Sequence, residues 1–208
     1  MFLFLMKLIF ATHNPGKIEE AKKLLADLYV EVLSAEEAGV REDVIEDGET
    51  FEENALKKAR FVSEKTGEWA VADDSGICID ALDGRPGVQS ARWAGEGASG
   101  EAIIAHTLHE LREVPPEKRG ASFISALALV APNGDHWIFN GAARGSLASS
   151  PRGSALPQLP YDVIFIPEGY LETFAEMSRE EKNKISHRGR AFEALKNFLK
   201  HTFAPTQQ

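Results

Sequence analysis

Four short stretches of this chain carry residue types and spacings that can do chemistry. Thr12-His13-Asn14-Pro15-Gly16-Lys17 joins an apolar run to a helical pattern. Backbone N–H groups at a helix N-terminus attract phosphate, and a glycine lets an anion approach closely. Lys17 adds a full positive charge, and Thr12 and Asn14 add neutral donors. The glycine-bounded stretch before the Lys is too short for a P-loop. Asp73-Asp74-Ser75-Gly76 ends a second apolar run. Carboxylates placed there suit Mg²⁺ coordination or activation of water. Neighbouring strand residues point to opposite faces, so one aspartate faces a cleft and the other caps a turn. A phosphatase of the haloacid dehalogenase type would need Asp-x-Asp near the first strand, and that pattern is absent. The acidic run from Glu42 to Glu53 reads as a solvated face before a helix, able to lend a carboxylate to a metal at Asp74. Lys182 with Ser186-His187-Arg188-Gly189 gathers cationic and N–H donors that can read a purine edge or grip phosphate. Read singly, each stretch also serves as a plain turn or surface charge. A Ser/His/Asp triad on Ser186 and His187 is not expected, because sequence neighbours seldom have that geometry.

These stretches need elements to hold them. Lys7–Ala11 reads as a buried strand, followed by a helix with Ile18, Ala21, Leu24, Leu25 and Leu28 on one face. Val30–Leu33 is a second strand. A helix starts near Thr50, where Thr50 and Glu53 form a capping box and Phe51, Ala55, Ala59 and Val62 make the apolar stripe. Trp69–Ala72 is a strand that stops at the aspartates, and Ile77–Leu82 is a further extended segment. Gly84–Gly100 is loop-rich, and Ile103, Ile104, Leu108 and Leu111 mark the next helix. Ala121–Ala131 and His136–Ala142 form a hairpin around Asn133-Gly134. Gly145–Tyr161 reads as a long functional loop or lid, after which Val163–Ile166 resumes regular structure. Helices near Ser178–Lys184 and Arg190–Lys200 close the chain. The pattern implies an α/β fold with an elongated mixed sheet, flanking helices and two lobes around a central cleft.

Composition narrows the function classes. The 208 residues suffice for one sizeable domain of two lobes. With 23 basic and 32 acidic residues, the net charge is −9, so general binding to a nucleic-acid backbone is not expected. Cys78 is the single cysteine, which excludes an intramolecular disulfide and a cysteine-built metal site. Met1–Leu5 extends the first strand, or Met6 is the natural start. No run approaches a membrane span, and a cytoplasmic location fits.

Taken in order, the motifs resemble the inosine triphosphate pyrophosphatase family, the house-cleaning enzymes for aberrant purine nucleotides. The matching stretches are Thr12-x-Asn14-x-x-Lys17, Thr50-Phe51-x-Glu53-Asn54-Ala55 with Lys58-Ala59, and Ala72-Asp73-Asp74-Ser75-Gly76. Pro86-Gly87 with Ser90-Ala91-Arg92, Tyr161-Asp162, and Arg179-Glu180-Glu181-Lys182 with Ser186-His187-Arg188-Gly189 complete the set. The resemblance spans roughly Lys7 to Lys200. It implies hydrolysis of ITP, dITP and XTP to the monophosphate and pyrophosphate, with Mg²⁺ and as a homodimer. It implies Asp74 as metal ligand and proton acceptor, and Thr12, His13, Asn14, Pro15, Gly16, Lys17 and Ser75 on the phosphate side. Lys182, His187 and Arg188 would read the 6-oxo purine. In the lid, Gln158-Leu159-Pro160-Tyr161-Asp162 stands where the family has Gly-Phe-Gly-Tyr-Asp, so Leu159 and Pro160 replace the stacking Phe and a Gly. Ile45 replaces the first Glu of the family's Glu-Glu-Thr-Gly, so Glu46 or Asp47 must serve as the second metal ligand, and Glu46 is the residue expected. Two alternatives follow from these departures: the same reaction with altered base choice, and a nucleotide-binding module without catalysis.

Overall fold

The computed structural model describes residues 6–28, 30–154 and 159–203, without the side chains of Pro15 and Phe203. The strand extension over Met1–Leu5 and the lid residue Gln158 lie outside the described residues. The elements run β1 (Met6–Phe10), α1 (Pro15–Leu24), β2 (Val30–Ser34), α2 (Phe51–Thr66), β3 (Trp69–Ile79) and α3 (Gly100–Glu110). They continue with β4 (Gly120–Val130), β5 (His136–Leu147), β6 (Phe165–Pro167), α4 (Arg179–Ile185) and α5 (His187–Phe203). The six strands form one mixed sheet in the order β2-β1-β3-β4-β5-β6. β1 pairs in parallel with β2 and β3, and β5 pairs antiparallel with β6. The expected α/β class with flanking helices is therefore what the chain adopts.

Contacts divide the described residues into two compact units. One takes them from Met1–Asp74, Ser125–Asn140 and Arg190–Gln208, and the other from Ser75–Ile124 and Gly141–Gly189. The first unit packs Leu8 and Phe10 of β1, Val71 of β3, Leu127 and Leu129 of β4 against Ala21 and Leu25 of α1. Phe192, Leu195 and Leu199 of α5 close this core at the expected helical spacing. Phe10 meets Phe192 edge to face, with ring centroids 6.0 Å apart. The second unit has its own core of Ile77, Ile79, Ile103, Ile104, Leu111, Phe123 and Phe165 among others.

Local chemistry explains the helix starts. Thr50 accepts from the Glu53 N–H at 3.1 Å while the Glu53 carboxylate accepts from Thr50 N–H at 3.2 Å, the expected capping box. Ser178 and Glu181 repeat the device at α4. Gly67 ends α2 in the left-handed region at φ 68°, which glycine adopts without steric cost.

The structure corrects three boundaries. The aspartates do not end a strand: β3 runs unbroken from Trp69 to Ile79, with Gly76 extended inside it. Buried apolar residues lie on both sides of Asp73–Gly76, so the strand gains more by continuing than by turning. The long loop begins later than expected, because β5 reaches Leu147. Pro160–Val163 is a 3₁₀ turn before the short strand β6. Finally, α5 starts at His187, so His187, Arg188 and Gly189 form its first turn instead of preceding it. The Ser186 hydroxyl accepts the Gly189 N–H at 3.1 Å and supports that earlier start.

No helix among the described residues is long and apolar enough to cross a membrane. We expect Phe192→Ala to destabilise the chain by about 3–5 kcal/mol, since the ring is 1% exposed and its removal leaves a cavity in the first unit. Urea unfolding followed by tryptophan fluorescence measures this, and a loss below about 1 kcal/mol contradicts the packing described.

Candidate active site

In the first unit, strand order sets the site. The connection from β1 runs to β2 on one side and that from β3 runs to β4 on the other, so the order reverses between β1 and β3, and ligands of open α/β sheets bind at such a reversal. The register pairs Phe10 with Val71, and the Ala11 N–H donates to Val71 O at 2.8 Å. There β1 ends and gives way to Thr12–Lys17, while β3 continues into Asp73 and Asp74.

The first turn is tightly self-bonded. Asn14 is the N-cap of α1, and its side-chain oxygen accepts the N–H groups of Gly16 at 2.9 Å and Lys17 at 3.2 Å. Thr12 Oγ1 accepts the Asn14 N–H at 3.1 Å. Thr12 and Asn14 thus shape the turn in addition to any donor role, and Gly16 is held by its own N–H. Pro15 takes the first helical position, where its missing N–H costs nothing. His13 is exposed and stands 3.4 Å from Asp43. Thr12, His13, Lys17, Glu46 and Lys58 line a recess of about 160 Å³.

The pleat of β3 separates the two aspartates. Asp73 faces α1, where its fully buried carboxylate pairs with Lys17 Nζ. Removing one partner of a buried ion pair typically costs about 3–5 kcal/mol, so Asp73 anchors the Lys17 cation to the sheet. Asp74 faces α2. Its Oδ2 accepts from Asn54 Nδ2 at 3.0 Å, and its Oδ1 stands 3.9 Å from Lys58 Nζ. Lys58 also donates to the Asp73 carbonyl at 2.9 Å and pairs with Glu46 at 3.2 Å. Burial pushes the Asp74 carboxyl above its ordinary pKa; Lys58 pulls it down, and the charge of Glu46 pushes it up again. Asp74 binds its proton more tightly folded than unfolded, so its stabilising contribution holds at low pH and is lost as pH rises through the raised value. A carboxylate kept at such a cost is a functional-site signature.

The second unit holds the other predicted residues. Ser75 Oγ accepts from Arg188 Nη2 at 3.2 Å. Lys182 Nζ pairs with the buried carboxylate of Asp162 and lies 5.4 Å from the centre of the Phe174 ring. The His187 ring stacks on Phe123, with centroids 4.6 Å apart and an 8° interplanar angle. Tyr161 is buried, donates to the Ser90 carbonyl at 3.0 Å, and has its phenol pKa raised by burial. Leu159 and Pro160 are half-buried at the start of the 3₁₀ turn. Tyr161 acts here as a structural tie, whereas Lys182, His187 and Arg188 present held donors.

Some contributors escaped the reading of sequence. Asn54 and Lys58 were seen only as parts of a motif, although their i, i+4 spacing on α2 sets them on one helix face. Asp73 gave no sign of its partner, because Lys17 is distant in sequence. Phe123 looked like any strand residue.

Among the described residues, no group of three or more His, Cys, Asp or Glu side chains makes a ready metal cage. Asp74 and Glu46, both against Lys58, instead offer two carboxylates. That donor set suits Mg²⁺, which takes one or two protein carboxylates and completes its shell with water and substrate phosphate.

Comparison with known proteins gives the family. Residues 8–198 match the Ham1 family. A dITP/XTP pyrophosphatase of Geobacter sulfurreducens is 47% identical over 193 residues, covering 93% of this chain and 96% of its own. A dITP/XTP pyrophosphatase of Bacillus subtilis is 43% identical over 197 residues, covering 95% and 98% respectively. The solved structure of a HAM1 protein from Coxiella burnetii superposes with a TM-score of 0.87 at 38% identity, covering 94% of this chain and 99% of that one. With the family matched along nearly all of its length and the fold shared with a solved member, the chain belongs to the Ham1 family.

Proposed function

We infer that this chain is a nucleoside triphosphate pyrophosphatase that hydrolyses non-standard purine triphosphates, dITP and XTP among them, to the monophosphate and pyrophosphate. The observation that carries the reading is Asp74: a buried carboxylate of raised pKa, held by Asn54 and faced by the Lys58 cation. A carboxyl whose pKa is moved toward neutrality is a better general base than an exposed one. Asp74 takes the proton of the water that attacks the α-phosphorus. Lys17 and Lys58 supply positive charge toward the phosphates in a chain whose net charge is −9. Their anchors, Asp73 and Glu46, keep both cations in place without reorganisation during the reaction. Asp74 and Glu46 would hold Mg²⁺, which supplies Lewis-acid polarisation of phosphoryl oxygens when bound.

Base choice is assigned to the second unit. Lys182, His187 and Arg188 suit the acceptor character of a 6-oxo purine, whereas the amino group of adenine would leave such donors unpaired. Stacking on Phe123 keeps the His187 ring from turning. Leu159 gives apolar contact without an aromatic face, so hydrogen bonding carries more of the discrimination here than stacking does. The homodimer implied by the family resemblance completes the proposal.

Incubation of the protein with dITP and Mg²⁺ is expected to release pyrophosphate, not orthophosphate, in equal amount to the monophosphate. Asp74→Asn should lower kcat by about a hundredfold or more; an equally fast variant ends the proposed role of Asp74. Stripping divalent cations with EDTA should stop turnover and Mg²⁺ should restore it, and activity that persists without metal would contradict the ligand assignment. In a panel of triphosphates, Arg188→Ala should lower the kcat/KM ratio of XTP over ATP by about tenfold. An unchanged ratio removes Arg188 from base recognition.

A further inference from the structure

Asn54 and Gly48 form a short chain of contacts behind Asp74. Asn54 is 1% exposed, at the fourth position of α2 after its Thr50 cap. Its amide has two ends, and both are used. Nδ2 donates to Asp74 Oδ2 at 3.0 Å, and Oδ1 accepts the Gly48 N–H at 2.8 Å. The second bond sets the first. A flipped amide would turn its oxygen toward the carboxylate and its NH₂ toward the Gly48 N–H, leaving two acceptors face to face and two donors face to face. The Gly48 N–H thus fixes which end of Asn54 meets Asp74.

Gly48 is glycine for reasons of space. A Cβ there would lie 2.7 Å from Asn54 Oδ1 and 2.9 Å from Glu53 Cβ. The segment is held to α2 by the neighbouring side chain as well, because the Glu53 carboxylate accepts the N–H groups of Glu49 at 2.7 Å and Thr50 at 3.2 Å. The loop, the helix start and the carboxylate are therefore fixed by one hydrogen-bonded series.

We propose that Asn54 is a positioning residue for the reaction: locked by the Gly48 N–H, it holds Asp74 Oδ2 and so presents Asp74 Oδ1 on the Lys58 side. The inference deepens the reading of Asp74 as the reacting carboxylate and rests on it.

The test is a double-mutant cycle on Asn54 and Asp74, with Gly48→Ala as an independent arm. Asn54→Ala is expected to lower kcat for dITP by about ten- to a hundredfold, the usual effect of a misplaced reacting group, with KM within about threefold. Gly48→Ala, which leaves both side chains present but crowds the amide, should lower kcat in the same sense. In the Asp74→Asn background, Asn54→Ala should change the residual rate by less than about twofold, because its partner is already lost. Urea unfolding of the same four proteins in EDTA should show non-additive stabilities, a readout independent of turnover. Parental kcat in Asn54→Ala or Gly48→Ala, with Asp74→Asn disabled, overturns the inference and spares the role of Asp74. Parental kcat in Asp74→Asn overturns that role itself. Fully additive effects show Asn54 to be a packing residue and also overturn the inference. If Asn54→Ala does not fold, Gly48→Ala alone decides by the same criterion.

Discussion

β3 leaves its pairing with β1 at Val71 and goes on as a strand, so its pleat alone decides where the two aspartates point. Val71 and Asp73 share one face, with the core that α1 and α5 cover. Ala72 and Asp74 share the other, toward α2. Had the strand turned at Gly76, both carboxylates would have been free to face solvent. Because it does not, each is buried against a different helix and meets a different lysine. Asp73 becomes a counter-ion and Asp74 a perturbed carboxylate. One covalent geometry gives identical neighbours opposite roles.

The same arrangement resolves an electrostatic difficulty. An acidic chain repels a polyanionic substrate at long range, so its cations must be local and fixed. Lys17 and Lys58, the cations proposed for that role, are fixed by buried or half-buried partners instead of solvent. Surface pairs elsewhere, such as Lys23 with Glu19, add little, because water and salt screen them. The ion pairs at the site are set apart by burial, not by number. Asp162 with Lys182 follows the same rule in the second unit.

The helix starts show how the chain spends its polar groups. Asn14 caps α1 with the side chain that also shapes the Thr12–Lys17 turn. The Thr50–Glu53 box starts α2 and draws the preceding loop close enough for the Gly48 N–H to reach Asn54. Capping and site geometry are therefore made by the same residues, and a change at one is felt at the other.

Much of this was legible in the residues themselves. Apolar spacing located α1, α2, α3 and the β4–β5 hairpin, and Thr50 with Glu53 marked the start of α2, because caps and periodicity are local signals. The order of the motifs brought Thr12–Lys17, Asp74, Lys182, His187 and Arg188 to attention and pointed to the family. The continuation of β3 through Asp73–Gly76 was not legible, since two aspartates, a serine and a glycine read locally as a turn and only burial between neighbouring elements makes them a strand. Nor were the pairings of Lys17 with Asp73, Asn54 with Asp74, and His187 with Phe123. Those depend on which face of which strand meets which helix, and residues far apart in the chain acquire that relation only when the sheet is assembled. Local pattern in the residues was enough to mark most helices and strands and the candidate chemical groups; only the assembled sheet makes Asp73 the counter-ion of Lys17 and sets Asp74 against Asn54 and Lys58.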